Sequence, residues 1–427
     1  MDYETLRTVS YQCILDLATD EGINASGRDE IYGCIFGRDS AITILKILNV
    51  VGRNASIDSN HLLQMCRRAL LTLVSLQGRE INIESGEEPG KFIHEFRRER
   101  YDHLLALPKP WYVYPDKTLR NYDSLDATPL ALIAIARYYE RSGDEEFLQA
   151  VMPAVRRGLS WIIAGGDRDN DRLVEYELPA TRRYGGLMVQ SWTDSGESLM
   201  RSDGSFPSYP IAPVEVQGYV WLALNIWADY FEQKRNILFS SVLQRHARLL
   251  KRKFNRQFLF FDNGYVFAAQ ALDGSKNQIR TITGNPLLLL WASREKDGKI
   301  ESILERKYVK EIVKRAFLPD MFDPDAGVRT MSALSATFDP SPQSYHNGSY
   351  WPKLNGMAHE GLLKWKFTNE AAYLREATLK PMAYFGSPIE LYIRKDGGYS
   401  EFQGPNGQVG CRNQAWSAAA ALDMLTR

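Results

Sequence analysis

The chain has 427 residues, of which 44% are hydrophobic and 24% are charged. These values are typical of a globular protein with a large core and length enough for one to three domains. Lysine and arginine number 52 together, as do aspartate and glutamate. With no net charge to attract polyanions, we predict neither a nucleic-acid partner nor a membrane partner.

The four cysteines, Cys13, Cys34, Cys66 and Cys411, show no CxxC spacing. So few cysteines in so long a chain do not make a disulfide framework, and we expect reduced thiols. The N-terminus "MDYETLRTVSYQC" has neither a basic nor an apolar segment typical of a secretory signal. These features predict a cytoplasmic protein.

Apolar residues recur at helical spacing through most of the chain, which predicts a nearly all-helical protein of about a dozen helices. In chain order the predicted helices cover residues 3–17, 40–51, 61–76, 128–139, 146–163, 214–231, 237–252, 286–291, 309–317, 352–365, 370–384 and 414–425. Strand-like runs are few. The run "QFLFFD" with "GYVFAAQALDG", and separately "YELPATRRY", predict small hairpins on loops.

Every second predicted helix follows a loop rich in glycine, aromatic and polar residues. The six loops are "YGCIFGRD", "NYDSLDA", "SWTDSGESLMRSDGSFPSYPIAPVEVQ", "TITGN", "SPQSYHNGSYW" and "GGYSEFQGPNGQVGCRN". The helices after these loops are mostly apolar on many sides, which indicates burial. We therefore predict a single (α/α)6 barrel over residues 1–427, with all six loops and the buried helices' N-termini at one end. A solenoid of helix pairs is the alternative, but the sequence shows no fixed repeat.

The sequence lacks the common signatures of other enzyme classes, namely GxSxG, GxGxxG after a strand, GxxxxGK[ST] and HExxH. Its six histidines show no metal-ligand spacing. The segment "GDRDNDRLVEYE" resembles a calcium loop but lacks its central glycine and correctly spaced closing glutamate, so a structural turn is favoured over a calcium site. We predict no cofactor and no catalytic metal.

The loops carry carboxylates, arginines, amides and aromatic rings, a set that suits glycoside hydrolysis. An inverting glycosidase needs one carboxylic acid at the leaving oxygen and one carboxylate that activates water, about 6.5–9.5 Å apart. Aromatic rings stack on the sugar, while charged and amide groups bind its hydroxyls. The sequence therefore predicts a carbohydrate substrate.

Several segments resemble one family. The segments "QSWTDSGES", "PIAPVEVQGYVWLAL", "SYHNGSYWPKLNGMAHEGL" and "SEFQGPNGQVGCRNQAWSAAAALDML" are similar to the amylo-α-1,6-glucosidase domain of glycogen debranching enzymes, within the inverting (α/α)6 glycosidases. "FGRDS" resembles the first-loop Arg-Asp of that group, and "EEPGKFIHEFR" resembles its PG-x-x-x-H-E-x-R segment.

The resemblance implies a role for individual residues. It makes Asp194 the general acid and Glu401 the general base, with Glu390 as the closest rival to Glu401. The pair Arg38 and Asp39 is implied to grip sugar hydroxyls. The further predicted substrate-binding residues are Tyr122, Asp126, Trp192, Glu215, Gln217, His346, Asn347 and Trp351.

Each assignment has a structural alternative. Asp194 suits a turn or cap, Arg38 and Asp39 a salt bridge at a helix start, and Glu215 a first-turn partner of the helix dipole. His346 could be a core histidine, and Trp111 either a stacking platform at the mouth or a loop anchor.

The chain also departs from the family pattern, because Thr193 stands where a lysine is common and the glucanotransferase half is absent. We therefore predict an inverting hydrolase that releases α-linked glucose from a short oligosaccharide or α-glucoside. The alternatives are a sugar isomerase or epimerase on the same barrel, which would need paired histidines facing the cavity, and a non-catalytic sugar-binding toroid. The sequence leaves the oligomeric state open.

Overall fold

The computed structural model describes residues 1–404 and 407–426, and helices dominate it. In chain order the α-helices are α1 (Tyr3–Leu17), α2 (Gly37–Val50), α3 (Ser59–Ser75), α4 (Asp102–Leu105), α5 (Ala127–Ser142), α6 (Glu145–Ser160), α7 (Val214–Gln233), α8 (Ile237–Gln257), α9 (Leu288–Trp291), α10 (Arg306–Ala316), α11 (Pro352–Lys364), α12 (Thr368–Phe385) and α13 (Ala415–Thr426). Within these residues, no helix combines the length and apolarity needed to cross a membrane.

Six of these helices form a closed inner ring. Around it, α2 contacts α5, α5 contacts α7, α7 contacts α9, α9 contacts α11, α11 contacts α13, and α13 contacts α2. The helices α1, α3, α6, α8 and α12 pack on the outside of this ring. Except at α10, whose main contacts are with a neighbouring strand, inner and outer helices alternate along the chain in the predicted order.

Burial follows the sequence pattern of each helix. In α2, every residue except Asn49 is buried, because the segment is apolar around most of its circumference. In the outer helix α8, the buried residues Ser240, Leu243, Ala247, Leu250 and Phe254 recur every three or four positions and form one face.

The inner and outer helices also begin differently. Side chains of Asp2, Asp58, Asp144 and Asn236 cap the outer helices α1, α3, α6 and α8. The inner helices α2, α5, α7, α9 and α11 begin without any side-chain cap. At α2 and α7 the first N–H group donates instead to a backbone carbonyl oxygen, that of His94 and that of Gln270 respectively.

The strands are two to four residues long and lie in the connections between helices. They are β1 (Ala18–Thr19), β2 (Gly22–Ile23), β3 (Ile35–Phe36), β4 (Glu95–Arg97), β5 (Leu119–Asn121), β6 (Ala212–Pro213), β7 (Leu259–Asp262), β8 (Tyr265–Ala268), β9 (Ala271–Leu272), β10 (Gln278–Ile279), β11 (Ser293–Lys296), β12 (Lys299–Ser302), β13 (Phe322–Asp323), β14 (Gly327–Val328), β15 (Ile393–Lys395) and β16 (Gly398–Ser400). Such short strands are hard to recognise from a two-residue period.

One sheet bears on the site. The strands β3, β4 and β5 pair antiparallel, with Ile35 opposite Phe96 and Phe96 opposite Arg120. This pairing joins the connection before α2 to the connections before and after α4, so that residues about 60 positions apart in the chain come together.

The predicted hairpins had different outcomes. The hairpin of "QFLFFD" with "GYVFAAQALDG" is confirmed as β7 paired with β8. The hairpin within "YELPATRRY" is wrong, because Tyr176 instead forms an isolated bridge with Ile211. The helix predicted at 286–291 is shorter, since a 3-10 turn at Asn285–Leu287 precedes α9.

Candidate active site

A cavity of about 440 Å³ opens where α2, α11 and α13 begin. This volume is within the range of small-ligand sites. Carboxylates, arginines, histidines and aromatic rings line it, among them Arg38, Asp39, His94, Glu95, Arg97, Trp111, Trp192, Asp194, Glu197, Tyr345, His346, Trp351, Glu390, Phe402, Gln414 and Trp416. Six of the predicted site residues therefore share one wall: Arg38, Asp39, Trp192, Asp194, His346 and Trp351.

Asp194 and Arg38 form the central ion pair of this cavity. The Arg38 Nη2 lies 2.7 Å from Asp194 Oδ2, and its Nη1 donates to the carbonyl oxygen of Ser191 at 3.0 Å. Arg38 is almost fully buried, whereas the Asp194 side chain keeps one fifth of its surface exposed. The arginine therefore fixes the Asp194 loop while the carboxyl still reaches the cavity.

Burial raises the pKa of Asp194, and the Arg38 guanidinium opposes that rise. The raised pKa favours the protonated carboxyl, which is the form a general acid needs before it donates. Trp192, which is fully buried, forms part of the wall two residues earlier in the chain.

Asp39 is a second buried carboxylate in the wall. Its Oδ2 accepts a hydrogen bond from Gln414 Nε2 at 3.2 Å, and its Oδ1 lies 3.7 Å from Arg38 Nε. Burial raises the pKa of Asp39 to about 7, although Arg38 lowers it in part. Asp39 can therefore change its charge near neutral pH.

His346 connects the Asp194 loop to the loop before α11. Its Nδ1 lies 2.9 Å from Ser195 Oγ, and its backbone N–H donates to Glu197 Oε1 at 3.3 Å. Burial and the nearby Arg38 hold the pKa of His346 well below its usual value, so the ring is neutral. The ring of His346 also stacks on Trp351 at 4.6 Å.

Aromatic rings continue along the wall from these residues. Trp351 makes edge contacts with Trp192 at 5.8 Å and with Trp416 at 6.0 Å. Tyr345 packs against Trp351 at 5.1 Å and against Phe402 at 4.9 Å. Such flat apolar faces can stack on a sugar ring, while the neighbouring carboxylates bind hydroxyls.

The two candidate bases lie in different surroundings. Glu390 lines the cavity, accepts from Tyr345 Oη and from the Cys411 N–H, and is 2% exposed. Its burial raises its pKa to about 7. Glu401 is partly exposed, and its Oε1 accepts from Arg412. Among the described residues that line the cavity, Glu401 is absent, although its neighbour Phe402 is present.

Three predicted substrate-binding residues are held by the protein itself. Tyr122 donates to the carbonyl oxygen of Leu76, and Gln217 bonds both backbone polar groups of Val174. Asn347 bonds the Asp339 N–H and the Thr337 carbonyl oxygen. Their polar groups brace loops, and none of the three is part of the cavity wall.

Asp126 and Glu215 lie behind the wall, fully buried. The Asp126 Oδ2 is 3.6 Å from Arg38 Nη1. Glu215 Oε2 accepts from Asn285, whose Oδ1 in turn accepts from the Trp192 indole N–H. Both carboxylates thus act on the wall indirectly, through Arg38 and Trp192.

The structure adds residues that the predictions did not assign. His94, Glu95 and Arg97 line the cavity from β4 and the residue before it, and Arg97 Nε donates to Glu95 Oε1. The resemblance of "EEPGKFIHEFR" to a family segment was the available signal. Trp111, for which the sequence left a stacking platform and a loop anchor open, also lines the cavity and is buried.

The acidic loop Asp167–Asp171 holds cationic side chains of the protein. One carboxylate oxygen from each of Asp167, Asp169 and Asp171 lies within 4.8 Å of the others. The Lys276 ammonium lies 2.8 Å from Asp169 Oδ2 and 3.1 Å from Asp171 Oδ2, and it pairs with Glu175. Lys253 binds Asp171 at 2.6 Å. This arrangement supports the structural turn that the sequence favoured.

Two other cavities, of about 550 and 400 Å³, lie where α5, α7 and α11 end. They share Arg137, Glu140 and Lys364, with Arg137 bonded to Glu140. Cationic side chains at helix C-termini complement the helix dipole, which accounts for their presence. The cavity around Asp194 is therefore the better candidate for chemistry.

Comparison with known families places this chain beside glycoside hydrolases. The family described as amylo-alpha-1,6-glucosidase matches residues 71–423. The search of curated proteins found no match.

Solved structures share the fold across nearly the whole chain. A GH63 mannosylglycerate hydrolase from Thermus thermophilus, in complex with Tris and D-glycerate, superposes with a TM-score of 0.66 at 16% identity, covering 98% of this chain and 99% of that one. A metal-independent α-mannosidase from Streptococcus pneumoniae, in a complex with α-1,6-mannobiose, superposes with a TM-score of 0.61 at 13% identity. The match covers 99% of this chain and 93% of that one. At these identities the likeness concerns the fold.

Proposed function

Since the chain belongs to the amylo-alpha-1,6-glucosidase family, we propose that it is an inverting glycoside hydrolase on a single (α/α)6 barrel. It releases α-linked glucose from a short oligosaccharide or α-glucoside. The observation that carries this proposal is the Asp194 carboxyl, held by Arg38 at 2.7 Å in a cavity walled by tryptophans.

Asp194 is the proposed general acid. Its carboxyl gives a proton to the glycosidic oxygen as the bond to the anomeric carbon breaks. A water molecule attacks the anomeric carbon from the opposite face of the ring, and a carboxylate accepts the proton of that water. The product then has the inverted configuration.

We assign the base to Glu401 and treat Glu390 as its rival. Both oxygens of Glu390 accept hydrogen bonds from the protein, and the residue is almost fully buried. These features favour a structural acceptor over a base. Glu401 is partly exposed, follows the family motif, and is adjacent to the cavity-lining Phe402.

Glucose is the proposed glycone, and mannose is the alternative. Family membership favours glucose. The structures of similar fold include a mannosylglycerate hydrolase in complex with glucose and a mannosidase in complex with mannobiose. Mannose is therefore retained as the alternative glycone. A panel of α-glucosides and α-mannosides, scored for free sugar, decides between them.

The acid is tested by Asp194→Asn. Because asparagine cannot donate the proton, we expect kcat to fall at least about 1,000-fold with the fold retained. The matched control is Asp203→Asn, an exposed residue of the same connection that bonds Ser205. Hydrolysis by Asp194→Asn at the control's rate would reject the assignment.

The base is tested by the pair Glu401→Gln and Glu390→Gln. We expect Glu401→Gln to lose activity with unchanged stability, and Glu390→Gln to change KM or stability more than kcat. The opposite pattern would assign the base to Glu390. NMR of fresh product should show the β-anomer, whereas α-product excludes inversion.

A sugar isomerase is a second candidate, because His94, His103 and His346 line the cavity. Burial and Arg38 hold the pKa values of His94 and His346 well below their usual value, so both rings are neutral and only weakly basic. Isomerisation exchanges the hydrogen at C2 with solvent. Deuterium uptake by free glucose or mannose in D2O would support this function, and its absence would reject it.

A further inference from the structure

A buried lysine lies behind the cavity wall without a hydrogen-bond partner. Lys353 is in the first turn of α11 and is 1% exposed, and no group in the described part of the chain accepts a hydrogen bond from its Nζ. It does not line the cavity. Burial of an ammonium group without a partner is costly, so its presence calls for an explanation.

Two tryptophan faces hold the ammonium group. The Lys353 Nζ lies 4.0 Å from the centre of the Trp192 ring and 5.5 Å from that of Trp416. Both tryptophans also line the cavity. Cation–π attraction therefore offsets part of the cost of burial, and it ties the ammonium to the surface on which a sugar would rest.

Charged groups from three elements act on Lys353. Arg38 and Asp39 start α2, Asp126 precedes α5, and Glu215 is in the first turn of α7. The neutral His346 comes from the loop before α11 and feels the lysine charge. Asp194, which pairs with Arg38, and Glu390 also act on Asp39. The carboxylates therefore outnumber the two cations, and the lysine balances charge that Arg38 alone does not.

We propose that Lys353 is a positioning residue: its ammonium group, held between Trp192 and Trp416, keeps the Asp39 carboxylate charged for sugar binding. This role rests on the proposed function, because it assumes that Asp39 binds sugar hydroxyls. Lys353 itself does not touch the substrate.

The electrostatics give the sign of the effect. Burial lowers the pKa of Lys353 to about 7 and raises that of Asp39 to about 7, and each charge favours the other. Below about pH 7 the lysine is charged and helps Asp39 to ionise. Above that pH the lysine loses its charge, while the alkaline solution itself ionises Asp39.

The test is Lys353→Met, which keeps the length and the aromatic contacts but removes the charge. Without the ammonium group the pKa of Asp39 rises further. We expect KM to increase about five- to tenfold at pH 6.5 and to return within about twofold of wild type at pH 8.5. We expect kcat to change less than threefold.

The matched control is Lys251→Met. Lys251 also lies over a tryptophan, 5.4 Å from the centre of Trp221, and is partly buried on α8, but it does not line the cavity. It should leave the pH profile of KM unchanged. A purely structural role for Lys353 would raise KM equally at all pH values, and that result would overturn the proposal.

A second substitution, Lys353→Arg, covers the case in which the methionine variant does not fold. Arginine stays charged at both pH values, so the KM of Lys353→Arg at pH 6.5 should equal that of the wild type. An increase in KM there equal to that of a neutral variant, Lys353→Gln, would contradict the charge argument.

A non-catalytic readout separates this inference from the proposed function. Calorimetric titration of glucose and mannose into wild type and Lys353→Met, at pH 6.5 and 8.5, measures sugar affinity directly. Absence of hydrolysis in the wild type rejects the proposed function. If the wild type hydrolyses substrate but the sugar affinity of wild type and of Lys353→Met depends on pH in the same way, the role of Lys353 is rejected.

Discussion

At the scale of the residue, Arg38 organises the site. Its guanidinium reaches the Ser191 carbonyl, the Asp194 carboxylate and, at longer range, Asp126 and Asp39. Its positive charge therefore lowers the pKa of Asp194, against the rise that burial causes. Its fork of donors suits this task, whereas a lysine could not make the same contacts.

The variant Arg38→Gln tests this role. Removing the guanidinium raises the pKa of Asp194 further. An acid must be protonated to act, so the alkaline limb of kcat/KM should move to higher pH, while kcat/KM at its optimum falls about 100-fold or more. Arg98→Gln, an exposed ion pair with Glu21, is the control. An alkaline limb at the wild-type pH would show that Arg38 does not control the pKa of Asp194.

At the scale of the element, the turn after α6 depends on a lysine from a distant hairpin. Lys276, between β9 and β10, reaches Asp169, Asp171 and Glu175. Burial raises the pKa of Glu175 to about 7 even with this lysine in contact. The two loops therefore stabilise each other through charge.

Lys276→Met should lower the free energy of unfolding by about 2–3 kcal/mol at pH 8, because it leaves a buried carboxylate without its cation. The raised pKa of Glu175 means that this acid takes up a proton as the pH falls below about 7. The loss should therefore be smaller at pH 5. Urea unfolding at both pH values measures it.

The control for that experiment is Lys234→Met, since Lys234 is half exposed and lies 3.9 Å from Glu145. We expect its effect to stay below about 0.5 kcal/mol. A loss for Lys276→Met that is equal at pH 5 and pH 8 would show that packing, not charge, joins the two loops.

At the scale of the whole molecule, a buried ion cluster joins three helices of the ring. Lys46 of α2 donates to Glu360 of α11 at 2.7 Å, to Asp423 of α13 at 3.1 Å, and to the Gly356 carbonyl at 2.9 Å. Asn49 donates to both carboxylates as well. The cluster fixes how the first and last inner helices meet.

Lys46→Met should destabilise the protein by about 3–5 kcal/mol, since two buried carboxylates lose this cation. Activity of the folded fraction should stay near wild type, because none of these residues lines the cavity around Asp194. The triple variant K46M/E360Q/D423N should recover at least about 1 kcal/mol relative to K46M. A K46M protein as stable as wild type would reject this role.

The sequence by itself determined the helical content, the order of inner and outer helices, and the candidates Asp194, Arg38 and Asp39. Helical periodicity and all-round apolarity are properties of short windows, so they can be read locally. The small hairpins were mostly missed, because strands of two to four residues carry too little pattern.

Only the tertiary structure decided which polar loop residues face the cavity. Gln217 and Asn347 come from the predicted loops and helix starts, yet their side chains donate hydrogen bonds to backbone carbonyl oxygens of other segments. His94 and Glu95 line the cavity because β4 and the residue before it pack there, and Lys353 of α11 lies behind the cavity wall. Partners far apart in the chain set these directions, and no local pattern encodes which donor meets which acceptor.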